Sequence, residues 1–368
     1  MQVLKLLEAC EVYQPKTIPK KDLIEDGKYF VYGANGKIGR FNEYNHPEEE
    51  VLLGCRGSVG SLNISEPYSW ITGNAMVVKP KSNQLLKKYI YYFLYSLNKK
   101  NIITGSSIPQ ITRKSLENTK IPVPSLQEQE KIVERLDKVE KRNTELYKIY
   151  KKQFIDLKNL YEGYLNESFS KMNKNLTPLQ LSTINITDGS HNPAKGVDKS
   201  DYMMLSSKNV IEDDLNFENP RYLKKEDFLL ENKRTNLETN DVLLTIVGTI
   251  GRTAVVKSLE HNITFQRSVC VIKPNKEILD SYYLKYFLDN ISSFLEQNAR
   301  GVAQKGIYLN QIRGINIPLM DLDRQQQLVT KIKKVNNLVK EITSKKKEQI
   351  LKQEQLKKSI LNKEFAYE

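Results

Sequence analysis

The sequence is poor in the residues that build disulfide frameworks, metal centres and nucleophilic sites. Its 368 residues hold three cysteines and three histidines. Cys10, Cys55 and Cys270 are odd in number and far apart, which argues against a disulfide scaffold or a zinc site and fits a reducing cytoplasm. Cys55 stands beside Arg56, a neighbour that lowers a thiol pKa. No base accompanies it, and a buried strand-end cysteine is the plainer reading. His191 has no His or Cys pair nearby, so it reads as a loop hydrogen-bonding residue and not a metal ligand. No run approaches the roughly 18 apolar residues of a membrane span. The richest stretch, Tyr89 to Leu97, carries polar groups and reads as a core helix. The N-terminal MQVLKLLEACEVYQPK contains an acid and no cleavage-site pattern, so no signal peptide is expected.

Catalytic signatures are equally scarce. There is no GxxxxGK[ST] phosphate loop, and in GANGKIG an isoleucine follows the lysine where Ser or Thr would bind Mg²⁺. No S-adenosylmethionine-type glycine strand sits beside an NPPY-like loop. Asp213 and Asp214 lie in a polar segment without a nuclease constellation. The expectation is a chain with no cofactor, no metal ligands and no enzymatic activity of its own.

What the sequence does have is positive charge and repetition. Lys and Arg number 57 against 44 Asp and Glu, a net charge of +13. Such an excess serves solubility first; it also favours a polyanionic partner, nucleic acid before membrane. From Ile121 to Phe169 runs an apolar stripe: Ile132, Leu136, Val139, Asn143, Leu146, Tyr150, Gln153, Leu157, Leu160, Tyr164. Steps of four and three alternate, as in a heptad seam. Pro122 and Pro124 bar an earlier helical start. The stripe predicts one helix of roughly 40 residues, about 60 Å long. A second copy opens at Ile317-Pro318 and runs to Phe365, with a seam of Leu328, Ile332, Val335, Val339, Ile342, Lys346, Gln349, Gln353, Leu356, Ile360. Gly105 and Gly301, Ile121 and Ile317, Gln129 and Gln325, and Phe169 and Phe365 all stand 196 residues apart. An ungapped register of this length marks an internal duplication. Leu136, Val139, Leu146, Leu157 and Leu160 on one helix, and Ile332, Val335, Val339, Ile342 and Leu356 on the other, are the expected pairing residues. Asn143 is a candidate for setting register. The segment LMDLDRQQQ lacks the second proline and the acid of PVPSLQEQE, so a less tightly fixed helix start is expected there.

The segments before the helices repeat as well. VLLGCRGSVGSLNI reads as buried strand, glycine turn, strand, and DVLLTIVGTIGRTAVV answers it. AMVVKP is answered by SVCVIKP, and the helix KKYIYYFLYS by SYYLKYFLDN. GKYFVYGANGKIGRFNEYN reads as strand, loop, strand. Insertions fall in loops, where scaffolds tolerate them. The entry loops differ most: YGANGKIGRFNEYNHP in the first module, ITDGSHNPAKGVDKSDYMMLSSKNV in the second. The expected organisation is α+β: module 1–120, helix 121–172, module 173–316, helix 317–368. Two long polar helices also account for a hydrophobic content of only 39%.

Two variable α+β modules, each followed by I-P-[VL]-x-x-L-x-x-Q and a long helix, resemble the specificity subunit of type I restriction-modification enzymes. The GANGKIG, GCRGSVG and DGSHNP loops and the D-V-L-L-T-x-x-G-T-I-G turn are of the kind found in its target-recognition domains. The resemblance implies a non-catalytic, cytoplasmic reader of double-stranded DNA, each module binding half of a split site. It implies two long antiparallel coiled-coil helices that separate the modules with pseudo-two-fold symmetry. It further implies partners: two methyltransferase subunits docked on the helices, and restriction-translocase subunits joining that complex. Duplex DNA has a matching two-fold symmetry in its backbone, so two related modules suit two half-sites.

Base readout needs donors and acceptors on loops, and phosphate contacts need cations and backbone N–H. Asn35, Lys37, Arg40, Arg56, Ser58, Asn74 and Arg113 are the candidates in the first module. Ser190, His191, Lys208, Asn209, Thr249, Arg252, Arg267, Gln304 and Lys305 are those in the second. Arg56, Arg252 and Lys305 lead, because they flank glycines that let backbone approach a phosphate. Each is weighed against a solvated charge or a turn-holding side chain; Asn35, for one, suits a left-handed turn. Two other classes stay open at this level: a DNA-processing enzyme with an unrecognised site, and a coiled-coil adaptor with no DNA role. Leu136→Asp places a charge in the apolar seam and is expected to disrupt helix pairing; an unchanged circular-dichroism melt would count against the pairing.

Overall fold

The chain, described by a computed structural model over residues 2–172, 175–211, 213–301 and 305–366, divides into two compact units. One comprises Met1–Lys151 with Lys346–Glu368, the other Lys152–Lys345.

In the first unit an antiparallel sheet has the order Cys10–Tyr13, Ala75–Pro80, Val51–Gly54, Leu62–Ile64. A second sheet has the order Gly36–Phe41, Tyr29–Gly33, Trp70–Ile71, its last pair parallel. The continuous apolar run VLLG follows from burial on both faces. Val51 and Leu53 face the helix Lys87–Ser96 through Tyr89, Ile90 and Phe93. Leu52 faces the second sheet through Tyr32 and Ile71. A short ladder, Gln2–Lys5 against Lys120–Val123, closes the unit.

The second unit repeats this plan strand for strand. Its larger sheet runs Thr183–Asp188, Val269–Pro274, Val242–Thr245, Thr253–Val255. Its smaller one runs Arg221–Tyr222, Tyr202–Leu205, Asn262–Phe265, again with the last pair parallel. Leu176–Pro178 pairs with Asn316–Pro318 in place of the first unit's closing ladder. Val242 and Leu244 face the helix Ser281–Asn290, while Leu243 faces Leu205 and Phe265. The additions are local: the helix Lys225–Thr235 and a small hairpin, Val210–Ile211 with Asp214–Leu215.

Two long helices, Leu126–Ser170 and Leu322–Phe365, follow the two closing ladders. Each is fixed near its start by a fully buried glutamine. Gln129 Oε1 accepts from Leu86 N at 2.9 Å, and its Nε2 donates to Gln84 O and Pro124 O at 2.8 and 2.9 Å. Gln325 does the same with Asp280 N, Ile278 O and Met320 O at 2.9, 2.8 and 2.7 Å. The second start is therefore as firmly held as the first, against the sequence expectation. Asp321 accepts from Arg324 N at 3.0 Å, where Ser125 accepts from Glu128 N at a longer 3.4 Å; an aspartate at the helix N-terminus replaces the missing proline and acid.

The helix ends are held by aromatic contacts. Phe365 packs on Tyr89 and Phe93, and Phe169 on Tyr283 and Phe287, with centroids 5.2–5.7 Å apart. So the first unit holds the start of one long helix and the end of the other, and the second unit does likewise. Within the first unit the two segments run antiparallel: Arg135 pairs with Glu364 at 2.7 Å, Glu140 with Lys357, and Tyr147 with Glu354.

Of the expected pairing residues, Leu136 and Ile332 are fully buried. Val139, Leu146, Leu157, Val335, Val339 and Ile342 are half-buried. Leu160 and Leu356 are corrections: they are 64% and 54% exposed. A straight α-helix drifts about 20° per heptad from a 3.5-residue repeat, so the buried stripe slides along each helix. It passes through Tyr161, Leu165 and Phe169 in one helix and Lys357, Leu361 and Phe365 in the other. Gln129→Ala and Gln325→Ala each orphan buried backbone groups and are expected to destabilise the fold by about 1–3 kcal/mol. Urea unfolding checks this; a midpoint equal to wild type for both would contradict the anchoring role.

Candidate nucleic-acid interface

The glycine turns are built alike in both units. Gly57 and Gly60 have φ of +72° and +83°, and Gly248 and Gly251 have +85° and +89°. Gly60 N bonds back to Gly54 O at 2.8 Å, and Gly251 N to Thr245 O at 2.9 Å. The loop after each module's core helix lies against its turn, through Ile111 N to Cys55 O at 3.0 Å and Ile307 N to Ile246 O at 2.9 Å. The turn tip is open, since a Cβ on Gly57 would meet nothing within 4 Å.

In the first unit four loops meet around this turn. Asn74 O accepts from Cys55 N and Arg56 N at 2.9 and 3.3 Å, and Ser61 Oγ donates to Ala34 O. The expected loop in GANGKIG is a tight hairpin, Gly33 paired with Gly36. Its left-handed residue is Gly36, at φ +96°, and not Asn35. Asn35, Arg56, Ser58, Asn74 and Arg113 are exposed. Among the described residues the exposed Arg56 guanidinium has no ion-pair or hydrogen-bond partner, so its charge faces solvent. Lys37 and Arg40 are differently placed. Lys37 pairs with Glu66 at 2.6 Å and lies 3.5 Å over the Phe30 ring. Arg40, on the same strand, lies 4.2 Å from the same ring and donates to Gly27 O and Lys28 O. Cation–π stacking holds both on Phe30, with Lys37 paired to Glu66 and Arg40 bonded to two carbonyls. Lys99 packs beneath Gly60 and spends its ammonium on Leu94 O; burial lowers its pKa to about 8.

In the second unit five loops meet. Ser190 N donates to Phe265 O and Arg267 N to Ser190 O, each at 2.8 Å. Ser207 N donates to Ser268 Oγ at 3.0 Å, and a Cβ on Gly248 would lie 3.2 Å from Ser207 Oγ. Arg300 and Gly306 exchange backbone bonds at 2.9 Å beside Val247. Lys208, Thr249, Arg252, Arg267 and Lys305 are exposed on these loops. Ser190 and Asn209 are corrections, being buried at 6% and 5% exposure. Asn209 spends its amide on Ser206 N, Asn216 O and Glu218 O, because the loop backbone there has no ladder partner. Ser190 is a backbone junction between strands. Gln304 lies outside the described residues.

His191 is an exposed hydrogen-bonding residue. Its Nε2 lies 2.7 Å from Asp188 Oδ2. Arg234 Nη2 donates to Asp188 Oδ1 at 2.5 Å and its Nε to Asp188 O at 2.9 Å. Arg234 has no signal in the loop motif, being 46 residues away on the inserted helix. Arg300 flanks Gly301 as Arg56 flanks Gly57, a signal that was legible, while the candidates taken from that loop are Gln304 and Lys305. Burial pushes the Cys10 thiol up to about 12 and the Cys270 thiol up as well, so neither is a ready nucleophile. Gly57→Ala is expected to cost about 1–2 kcal/mol from left-handed strain alone. Gly54→Ala should cost more, as its Cβ would sit 2.9 Å from Ala34 O. Urea denaturation ranks the two; the reverse order would refute the turn geometry.

No helix among the described residues is long and apolar enough to cross a membrane. The family described as type I restriction modification DNA specificity domain matches residues 1–157 and again 198–352. The type I restriction enzyme EcoBI specificity subunit of Escherichia coli is 22% identical, over 87% of this chain and 73% of its own length. The MjaVIII specificity subunit of Methanocaldococcus jannaschii is 25% identical, over 86% and 78%. A solved chain from work on complex assembly and conformational transition of the type I R-M system covers 99% of this chain and 97% of its own. It has a TM-score of 0.71 at 17% identity, which shows a shared fold. With the family matched twice, once on each copy of the repeated fold, this chain belongs to the type I restriction modification DNA specificity family.

Proposed function

We propose that this chain is the non-catalytic DNA reader of a type I restriction-modification complex, working in the cytoplasm. Target-recognition domains at 1–120 and 173–316 each read one half of a bipartite site on double-stranded DNA. Helices within 121–172 and 317–368 space the domains and dock two methyltransferase subunits; restriction-translocase subunits join that complex. The observation that carries the reading is one sheet topology used twice beneath rims of different chemistry. Repetition suits the backbone symmetry of a duplex, and divergent rims suit two different half-sites. At 45 residues the first helix is about 68 Å long at 1.5 Å per residue. That equals roughly 20 base pairs, an upper limit on half-site separation.

Asn35, Arg56, Ser58, Asn74 and Arg113 would meet one half-site. His191, Lys208, Thr249, Arg252, Arg267 and Lys305 would meet the other. Arg56 and Arg252, unpaired beside glycine turns, serve as phosphate contacts. Arg56→Ala and Arg252→Ala are each expected to weaken DNA binding evenly across sequences and to reduce the salt slope by about 1. Salt-titrated gel shifts measure this. Binding that vanishes at moderate salt for every duplex, or methyl transfer or cleavage by the chain alone, would overturn the proposal.

A further inference from the structure

The exposed cations of the second unit fall into two kinds. Arg252, Arg267, Lys208 and Lys305 carry no carboxylate partner among the described residues and suit phosphates. Arg234 is different. Asp188, only 8% exposed in its side chain, takes its Nε–Nη2 edge through a carboxylate oxygen and the backbone carbonyl. The second carboxylate oxygen takes His191. Arg234 and His191 remain 47% and 52% exposed.

Three consequences follow. The carboxylate cancels most of the arginine charge, which weakens any pull on a phosphate. It also locks the guanidinium plane, so the entropy of ordering a long side chain is already spent. And it leaves the other two-donor edge, Nη1 with the second Nη2 hydrogen, without an acceptor among the described residues: His191 Nε2 lies 3.4 Å from Nη2, but with its proton donated to Asp188 Oδ2 at 2.7 Å it has no lone pair to offer. A neutral, rigid, two-donor edge matches a neutral two-acceptor edge. In the major groove that edge is guanine, with O6 and N7.

The location agrees. Gly189 passes so close to Phe265 and Gln266 that a Cβ would lie 2.5 Å from Gln266 O. This brings Asp188 and His191 onto the same loop cluster as Arg267 and the Gly248 turn. Among the described residues the first unit shows no counterpart. Its strand Cys10–Tyr13 runs into Gln14, whose amide donates to Cys55 Sγ at 3.0 Å.

The geometry points to Arg234, buttressed by Asp188, as the residue that selects a guanine in the half-site read by the second domain. This rests on the DNA-reading function proposed above. The test is selection from a randomised duplex library by the full chain in complex with its methyltransferase, followed by sequencing, for wild type, Arg234→Lys, Asp188→Asn and Arg252→Ala. Wild type should select a guanine at a position where Arg234→Lys, which keeps the charge but not the paired donors, loses roughly 5- to 150-fold of the preference. All other positions should be unchanged. Asp188→Asn should lose the same preference while binding all sequences more tightly, since the arginine charge is released. Arg252→Ala should weaken every sequence and leave the selected motif intact. A motif unchanged by Arg234→Lys in a complex with wild-type melting temperature would overturn the inference and leave the DNA-reading function standing. So would a lost preference for a base pair without guanine. No motif at all from wild type would overturn both.

Discussion

The buried amide of Gln129, repeated as Gln325, decides where each long helix begins and at what angle to the module before it. Each amide meets three backbone groups, two on the segment entering the core helix and one just before the long helix. Both are fully enclosed, so a shift of the helix start would orphan several buried polar groups together. That penalty is large against the stability of a domain. The apolar stripe alone would not impose this. Helix pairing through half-buried Val, Leu and Tyr tolerates sliding, and hydrogen bonds with fixed directions do not.

The far end of each helix completes the arrangement. Phe365 closes the aromatic cluster of Tyr89 and Phe93, and Phe169 closes that of Tyr283 and Phe287. Every unit therefore needs a segment from both halves of the chain. The core of the first unit, with Leu136 and Leu361 in one cluster, is unfinished until the last residues of the chain arrive. Long sequence separation of this kind makes folding slower than a local helical hairpin would be. The glycine turns and the loops beside them are tied to each other by backbone bonds, so exposed side chains on them such as Arg56 and Arg252 can change without touching the core.

Much of this was legible in the sequence. The ungapped 196-residue offset and the doubled VLLx…G turn specified a repeated α+β module, because strands buried on both faces read as continuous apolar runs. The seam was legible over most of its length, with Tyr164 and Ile360 packed against the cores near the helix ends. Leu160 and Leu356 fit a heptad but fall off the buried stripe, since nothing in a pattern of sevens encodes the slow rotation of a straight helix. Site residues were legible as types and not as orientations. Ser190 and Asn209 have the composition of readers, but a bridge to Gln266 buries the first and side-chain bonds to loop backbone turn the second inward. Arg234 escaped notice because its partner in the DGSH loop lies far away in sequence, and only tertiary folding joins them.

The central claim is that one fold, used twice, lets a single chain address two separate places on a duplex. Sequencing the methylated positions in a host that expresses the whole system tests it most directly. The account predicts a motif of two short, unlike half-sites separated by a fixed gap of unspecified base pairs. A single uninterrupted motif would contradict it.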